Sequence, residues 1–303
     1  MRCRDVPVVV FLLAMALPLH AQSDAAIDLS GTWMSTGTDA TDDRNEYEGR
    51  VEIKREKHIV VDALSPALAL DTYRFKWELA GNDRPLYGIG VLLEGTLYVS
   101  YTDEKNFFLE LYFPWEMSAS QQESFQTIKR LEAQNPDKYV KNAPWFYHLA
   151  ETSAYLGLWF TYDGDYGVLG WTGASLVGTH KYRLGEVNDK YEWSKMPNAR
   201  PYTEFGTLTV ERTGENYVFK FREGPDYSYS GVAFRAPDVP WLDGKPLLIG
   251  GMGGKETAGV SYYHFTSSGL EGVWAQQGGE QRGTEILTAP EAVRKRAPGR
   301  FSD

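Results

Sequence analysis

Gly49-Arg-Val-Glu-Ile-Lys-Arg55 and Gly206-Thr-Leu-Thr-Val-Glu-Arg212 are two copies of one pattern, and this repeat decides the predicted fold. In both copies apolar residues alternate with polar ones, which is typical of a β-strand that buries one face. A strand pattern that recurs far along a chain indicates two related structural units. The sequence therefore predicts a mainly β protein that contains one unit twice.

Further segments repeat in the same order. Tyr73-Arg-Phe-Lys-Trp77 matches Tyr217-Val-Phe-Lys-Phe221, and both read as alternating aromatic strands. Gly178-Thr-His-Lys-Tyr-Arg-Leu184 likewise matches Gly283-Thr-Glu-Ile-Leu287 near the end of each copy. Between them, glycine turns lead to a Trp in each copy, as expected of hairpins. Each copy is therefore predicted to be a meander of short antiparallel strands.

These patterns divide the chain into predicted units. We expect two tandem antiparallel barrel-like units at 29–186 and 204–288, joined by a charged linker at 187–203. The last residues, 289–303, are predicted to form a frayed, solvated tail.

A segment without a counterpart, 104–151, interrupts the first unit. Within it Phe125, Ile128 and Leu131 recur at helical spacing, after a segment that resembles a capping box. We therefore expect one amphipathic helix inserted into the first unit, lying over a barrel mouth or the groove between the units.

Residues 1–21 have the pattern of a secretory signal peptide, because the basic Arg2 and Arg4 precede an apolar run and a small-residue exit. That run is too short to cross a membrane, and no later stretch approaches the ~20 apolar residues that a spanning helix needs. The single cysteine, Cys3, lies inside the predicted signal. We therefore expect a periplasmic or secreted protein with no membrane span and no disulfide.

The charge balance excludes one class of partner. The chain has 41 Asp and Glu against 31 Lys and Arg, a formal charge of −10. Such a surface repels polyanions on average, so we expect no nucleic-acid partner.

Leu29-Ser-Gly-Thr-Trp33 resembles the Gly-x-Trp motif that opens lipocalins and related calycin barrels. The resemblance implies a barrel that Trp33 closes at one end. Residues 204–288 are also similar to β units of uncharacterised bacterial envelope proteins, some of which carry the label fibronectin-binding. This second resemblance implies that the chain is itself a protein of the bacterial envelope. We accordingly expect an envelope protein as its macromolecular partner.

The candidate catalytic residues come from a difference between the copies, because the second has His264 where the first has Trp159. On an alternating strand His264 shares a face with Tyr262, and this pair has the chemistry of an acid and a base. His148 and His180 are the further candidates from the first unit. The aromatic candidates for ligand binding are Trp159, Trp115, Trp145 and Tyr147.

The sequence leaves two main functions open, beside a third, an adhesin, which would need an exposed apolar patch or an unpaired edge strand. The first is an exported barrel protein that binds a small aromatic or apolar molecule, or a partner segment. The alternative is a cofactor-free lyase, isomerase or hydrolase that uses the His/Tyr pair in a barrel or inter-unit pocket. The histidines lack the short spacing of metal ligands and no nucleotide-binding motif occurs, so we expect neither a metal nor a cofactor.

Overall fold

The computed structural model describes residues 27–38, 46–61, 68–116, 119–134, 153–173, 175–186, 203–223, 227–236, 247–253, 258–296 and 300–301. These residues form a mainly β fold, as predicted. The strands are β1 (Gly31–Thr38), β2 (Glu46–Val61), β3 (Leu68–Leu79), β4 (Leu86–Leu93), β5 (Thr96–Thr102), β6 (Phe107–Pro114), β7 (Tyr155–Thr161), β8 (Tyr166–Trp171), β9 (Gly178–Glu186), β10 (Thr203–Thr213), β11 (Asn216–Glu223), β12 (Tyr227–Arg235), β13 (Leu248–Gly253), β14 (Gly259–Phe265), β15 (Gly269–Gln276) and β16 (Gly283–Thr288). The helices are α1 (Ala119–Gln134) and α2 (Glu291–Arg296).

The strands close into two antiparallel eight-stranded barrels, which confirms the predicted fold class. One barrel has the strand order β1-β16-β15-β14-β5-β4-β3-β2, and we call it the split barrel because its strands come from both ends of the chain. The other has the order β10-β11-β12-β13-β6-β7-β8-β9 and is continuous in sequence. We call it the inserted barrel, since it lies between β5 and β14 along the chain.

The division of strands between the barrels differs from the predicted units. Residues 29–186 contribute β1–β5 to the split barrel but β6–β9 to the inserted barrel, and 204–288 is divided in the same way. Every pair of strands matched in the sequence, such as β2 with β10 and β9 with β16, therefore places one strand in each barrel. The alternating pattern specifies which face of a strand is buried, but not which neighbour it pairs with.

The helix predicted within 104–151 is present as α1. It connects β6 to β7, and both of these strands belong to the inserted barrel. The helical insertion is therefore not part of the barrel that begins the chain, which corrects its predicted assignment. The predicted linker, up to residue 202, and the predicted signal peptide lie outside the described residues.

Within the part of the chain that the structure describes, three apolar cores hold the fold together. One fills part of the split barrel, the second fills the inserted barrel, and the third lies between the two barrels. Gly251 permits the close approach of the barrels, because a Cβ at this position would lie 2.5 Å from Ser100 Oγ and 2.7 Å from a Val260 methyl. The outer faces of β5, β13 and β14 are therefore buried as well as their inner faces.

The end of the chain closes one end of the split barrel. Helix α2 places Val293, which is fully buried, in the same apolar core as Leu29 and Trp33. The ring of Phe301 lies 6.2 Å from that of Trp33, whose Nε1–H donates a hydrogen bond to the Leu29 carbonyl at 3.0 Å. The predicted frayed tail is therefore wrong for the described residues 289–296 and 300–301. The charged residues of α2 gave no indication of the buried Val293 between them.

Candidate functional site: the open end of the split barrel

A cavity of about 360 Å³ occupies the end of the split barrel opposite Trp33, beside the turn between β3 and β4. Its walls carry five aromatic side chains, two carboxylates and a smaller set of apolar and amide groups. The lining residues are Tyr47, Trp77, Tyr101, Tyr263, Trp274, Glu46, Glu285, Leu79, Ala80, Asn82, Leu86 and Gln276.

Each of the five rings lies against a glycine on the neighbouring strand. A Cβ added at any of these glycines would come within 3.0 Å of the facing ring. The ring–glycine pairs are Tyr47 with Gly37, Trp77 with Gly88, Tyr101 with Gly259, Tyr263 with Gly272, and Trp274 with Gly283. Four of the pairs are directly opposite in the strand register, and Trp77 reaches its glycine diagonally. The glycines let the rings lie flat along the wall, which leaves the space between them open.

The inserted barrel uses its aromatic residues differently. Trp171 lies inside it with Tyr112 at 4.5 Å, His180 at 5.4 Å and Phe219 at 5.9 Å between ring centroids. These rings are packed against one another in its interior and not spread along its wall. Among the described residues, the two barrels thus share an architecture but differ in how their aromatic rings are arranged.

Glu285 is the buried polar group of the cavity, with 5% of its surface exposed. Ser35 Oγ donates a hydrogen bond to its Oε1 at 2.5 Å, and the Tyr263 hydroxyl donates to its Oε2. Burial raises the pKa of the Glu285 carboxyl, while the donors Ser35, Tyr263 and Trp77 oppose that rise because they stabilise the charged form. Burial, together with the nearby Glu285, also raises the pKa of Tyr263 and Tyr101.

A second buried carboxyl, Glu110, lies inside the inserted barrel. It accepts hydrogen bonds from the Tyr112 and Tyr182 hydroxyls. Burial raises the pKa of Glu110 to about 7, against the opposing effect of these two donors. The interior around Glu110 is packed with side chains, so the protonation state of this carboxyl affects the stability of the inserted barrel. Glu110 does not line the described cavities.

The predicted catalytic pair lies together but on the outer face of β14. The rings of Tyr262 and His264 are 5.2 Å apart, so they do share a face. Tyr262 packs against Phe234 of the inserted barrel at 5.7 Å. His264 is exposed, its Nδ1 lies 3.4 Å from Thr96 Oγ1, and partial burial lowers its pKa. Neither residue lines the described cavity, whereas Tyr263 between them does.

The other predicted site residues are dispersed. His180 is buried inside the inserted barrel, where its Nε2 lies 3.1 Å from the Leu176 carbonyl, so it does not join the Tyr262–His264 pair. Trp159 is buried in the core of the inserted barrel, and Trp115 packs against the core between the barrels. His148, Trp145 and Tyr147 lie outside the described residues.

Glu285 is not among the site residues predicted from the sequence, although the repeat contains an indication of its burial. The repeat aligns Gly283-Thr-Glu285 with Gly178-Thr-His180, and both aligned polar residues are buried in the structure. Hydrophobicity alone leaves the orientation of β16 open, because Ile286 lies on one face and Leu287 lies on the other, beside Glu285. In the structure Leu287 is fully buried and Ile286 is 41% exposed. The polar residue at the repeated position is thus the feature that distinguishes the two orientations.

Fold and site together define a protein with two fused eight-stranded barrels, one of which has an aromatic, acidic cavity at one end. Comparison with known proteins found no matching family model, no matching curated protein and no matching solved structure. Within the described ranges, no three metal-ligating side chains come together, and no helix is long and apolar enough to cross a membrane.

Proposed function

We propose that the protein binds one small molecule with an aromatic or apolar part in the cavity of the split barrel. The observation that carries this proposal is the set of five wall rings, each of which lies on a glycine and leaves the lumen open. Small-molecule sites are typically concave and lined by apolar and aromatic groups, with a few polar groups that orient the ligand. The cavity of about 360 Å³ falls within the usual size of such sites.

Because one end of the split barrel is closed, the cavity is better suited to a small ligand than to a long segment of a partner protein. Trp33, Val293 and Phe301 fill the opposite end, so an occupant has to enter and leave beside the β3–β4 turn. The signal-like pattern of residues 1–21 supports binding outside the cytoplasm, and location remains part of this proposal.

The described geometry does not favour the acid–base alternative. A general acid or base has to reach a bound substrate, directly or through one water. His264 is exposed and lines no described cavity, while His180 lies inside the other barrel. That alternative therefore stays a prediction from the sequence.

The binding proposal can be tested with N-phenyl-1-naphthylamine, a neutral aromatic dye whose fluorescence rises in apolar sites. We expect saturable one-site binding to the wild-type protein. Gly259→Ala and Gly283→Ala should weaken it by about tenfold or more, because the added methyl groups push Tyr101 and Trp274 into the lumen.

The matched control is Gly253→Ala. A Cβ at Gly253, in the inserted barrel, would make ordinary contacts at 3.5 Å and beyond. This variant should bind the dye as the wild type does. If all four proteins bind the dye alike, the split-barrel cavity is not where it binds and the proposal fails. The proposal also fails if neither the dye nor any smaller probe with an aromatic or apolar part binds.

A further inference from the structure

The charged side chains among the described lining residues of the cavity are all acidic. Its lining residues include Glu285 and Glu46, and among the described lining residues none is Lys, Arg or His. The adjoining surface groove contains Arg50 and Arg84, but three carboxylates in the same groove exceed their charge. The chain as a whole also carries a formal charge of −10. An anionic ligand would therefore meet repulsion at every stage of entry.

The wall rings meet at steep angles. Tyr47 and Trp274 lie 6.4 Å apart with their planes at 65°, and Trp77 and Tyr101 lie 5.9 Å apart at 54°. Trp77 also stacks on Phe75 at 5.1 Å, so one of its faces is covered, and the inclined rings leave faces as well as edges toward the space between them. Because the face of an aromatic ring is electronegative, such a set of faces attracts a cation, most strongly when the cation is desolvated.

Glu285 adds a counter-charge to these ring faces. A carboxylate has about four lone-pair positions, and protein donors occupy only part of them. A buried carboxylate is costly unless it is paired. An apolar neutral ligand would fill the cavity and offer nothing to the lone pairs that Ser35, Tyr263 and Trp77 leave unoccupied, whereas a cation would pair with the carboxylate.

We propose that the cavity selects a small organic cation, with an ammonium group against Glu285 and the faces of Tyr101, Trp77 and Trp274, and an apolar remainder along the wall. This inference rests on the proposed binding function and names the chemical class of its ligand.

Matched pairs of probes isolate the contribution of charge. Phenyltrimethylammonium and tert-butylbenzene have nearly the same shape and differ in charge, as do choline and 3,3-dimethylbutan-1-ol. Each pair has a nine-proton methyl signal, so its binding can be followed from ligand NMR line widths on the same protein sample. Benzenesulfonate serves as the anionic probe of similar size.

We expect each cation to bind the wild-type protein at least about tenfold more tightly than its neutral partner, and benzenesulfonate to bind most weakly. Glu285→Gln should bring this ratio close to one, while Glu271→Gln, exposed on β15 and outside the lining of both the cavity and the groove, should leave it unchanged. Glu46→Gln measures how much the other lining carboxylate contributes.

Glu285→Gln can disturb the fold, so a second measurement uses the wild type alone. Lowering the pH protonates Glu285, whose pKa is raised by burial, whereas Tyr101 and Tyr263 remain neutral because their pKa values are raised. The preference for the cation should therefore disappear reversibly at acid pH, while the neutral probe keeps its affinity.

Two results would overturn the inference, and they differ in what they say about binding. If the neutral probe of each pair binds as tightly as the cation or more tightly, and Gly259→Ala abolishes that binding, the preference for a cation is wrong. The proposed binding function would stand in that case. Absence of binding by every probe, including the naphthylamine dye, removes both.

Discussion

The ring of Tyr101 on β5 lies on Gly259 of β14, the residue directly opposite it in the barrel wall. A Cβ at Gly259 would fall inside the space that the Tyr101 ring occupies. The absence of a side chain at residue 259 therefore determines where the Tyr101 ring lies, and with it the shape of the lumen. Four other rings around the cavity also lie on a glycine, three on the residue directly opposite and Trp77 on a diagonal one. The cavity therefore results from where the glycines are as much as from the aromatic residues.

Gly259→Ala should therefore destabilise the split barrel by about 1–3 kcal/mol, because the methyl group forces Tyr101 from its position. Gly253→Ala should change the free energy of unfolding by less than about 1 kcal/mol, since its Cβ has room. Urea denaturation of both variants measures this difference. Equal stability of the two variants would show that the ring does not occupy the position above Gly259.

The repeat in the sequence predicted the fold class and the equivalence of strands, because period-two alternation reports directly on a half-buried strand. It did not predict how the barrels close. The hydrogen-bonding edges of β5 and β14 carry no side-chain signal for their partner, so a tandem arrangement and the observed split arrangement have the same pattern.

The site was harder to predict for a related reason. Strand β14 lies between the lumen of the split barrel and the inserted barrel, so Tyr262 and Tyr263 are both buried although they face opposite ways. A strand that is buried on both faces has no polar side to mark its orientation. His264, on the outer face of β14, was therefore predicted as a site residue. The neighbouring Tyr263 is the residue that contacts Glu285 inside the barrel.

The orientation of β16 gives a second test of the structure. Leu287 is fully buried in the split barrel and Ile286 is exposed. We expect Leu287→Ala to cost about 2–5 kcal/mol, and Ile286→Thr to change the free energy of unfolding by no more than about 0.5 kcal/mol. Chemical denaturation measures both values. If Ile286→Thr were the more damaging change, Glu285 would face outward and the acidic cavity would not exist.

The closed end of the barrel depends on helix α2. Val293 is fully buried there, while its neighbour Arg294 is exposed. Val293→Ala should lower the free energy of unfolding by about 2 kcal/mol, because it removes buried methyl groups and leaves a void. Arg294→Ala, on the solvent side of the same helix, should have little effect. A thermal unfolding series on the two variants distinguishes a docked helix from a solvated end, for which both substitutions would be neutral.

Glu110 predicts a pH dependence of stability that belongs to the inserted barrel. Burial raises its pKa from 4.5 to about 7, so between these values the folded protein holds a proton that the unfolded chain has released. The free energy of unfolding should therefore decrease as the pH rises through this range. Glu110→Gln cannot titrate, so its stability relative to the wild type should increase by more than about 1 kcal/mol between about pH 5 and about pH 8. Glu271→Gln, at an exposed position on β15, controls for the loss of one negative charge. Denaturant titrations at each pH measure the difference, and a gap between wild type and Glu110→Gln that stays constant with pH would mean that Glu110 is ionised throughout.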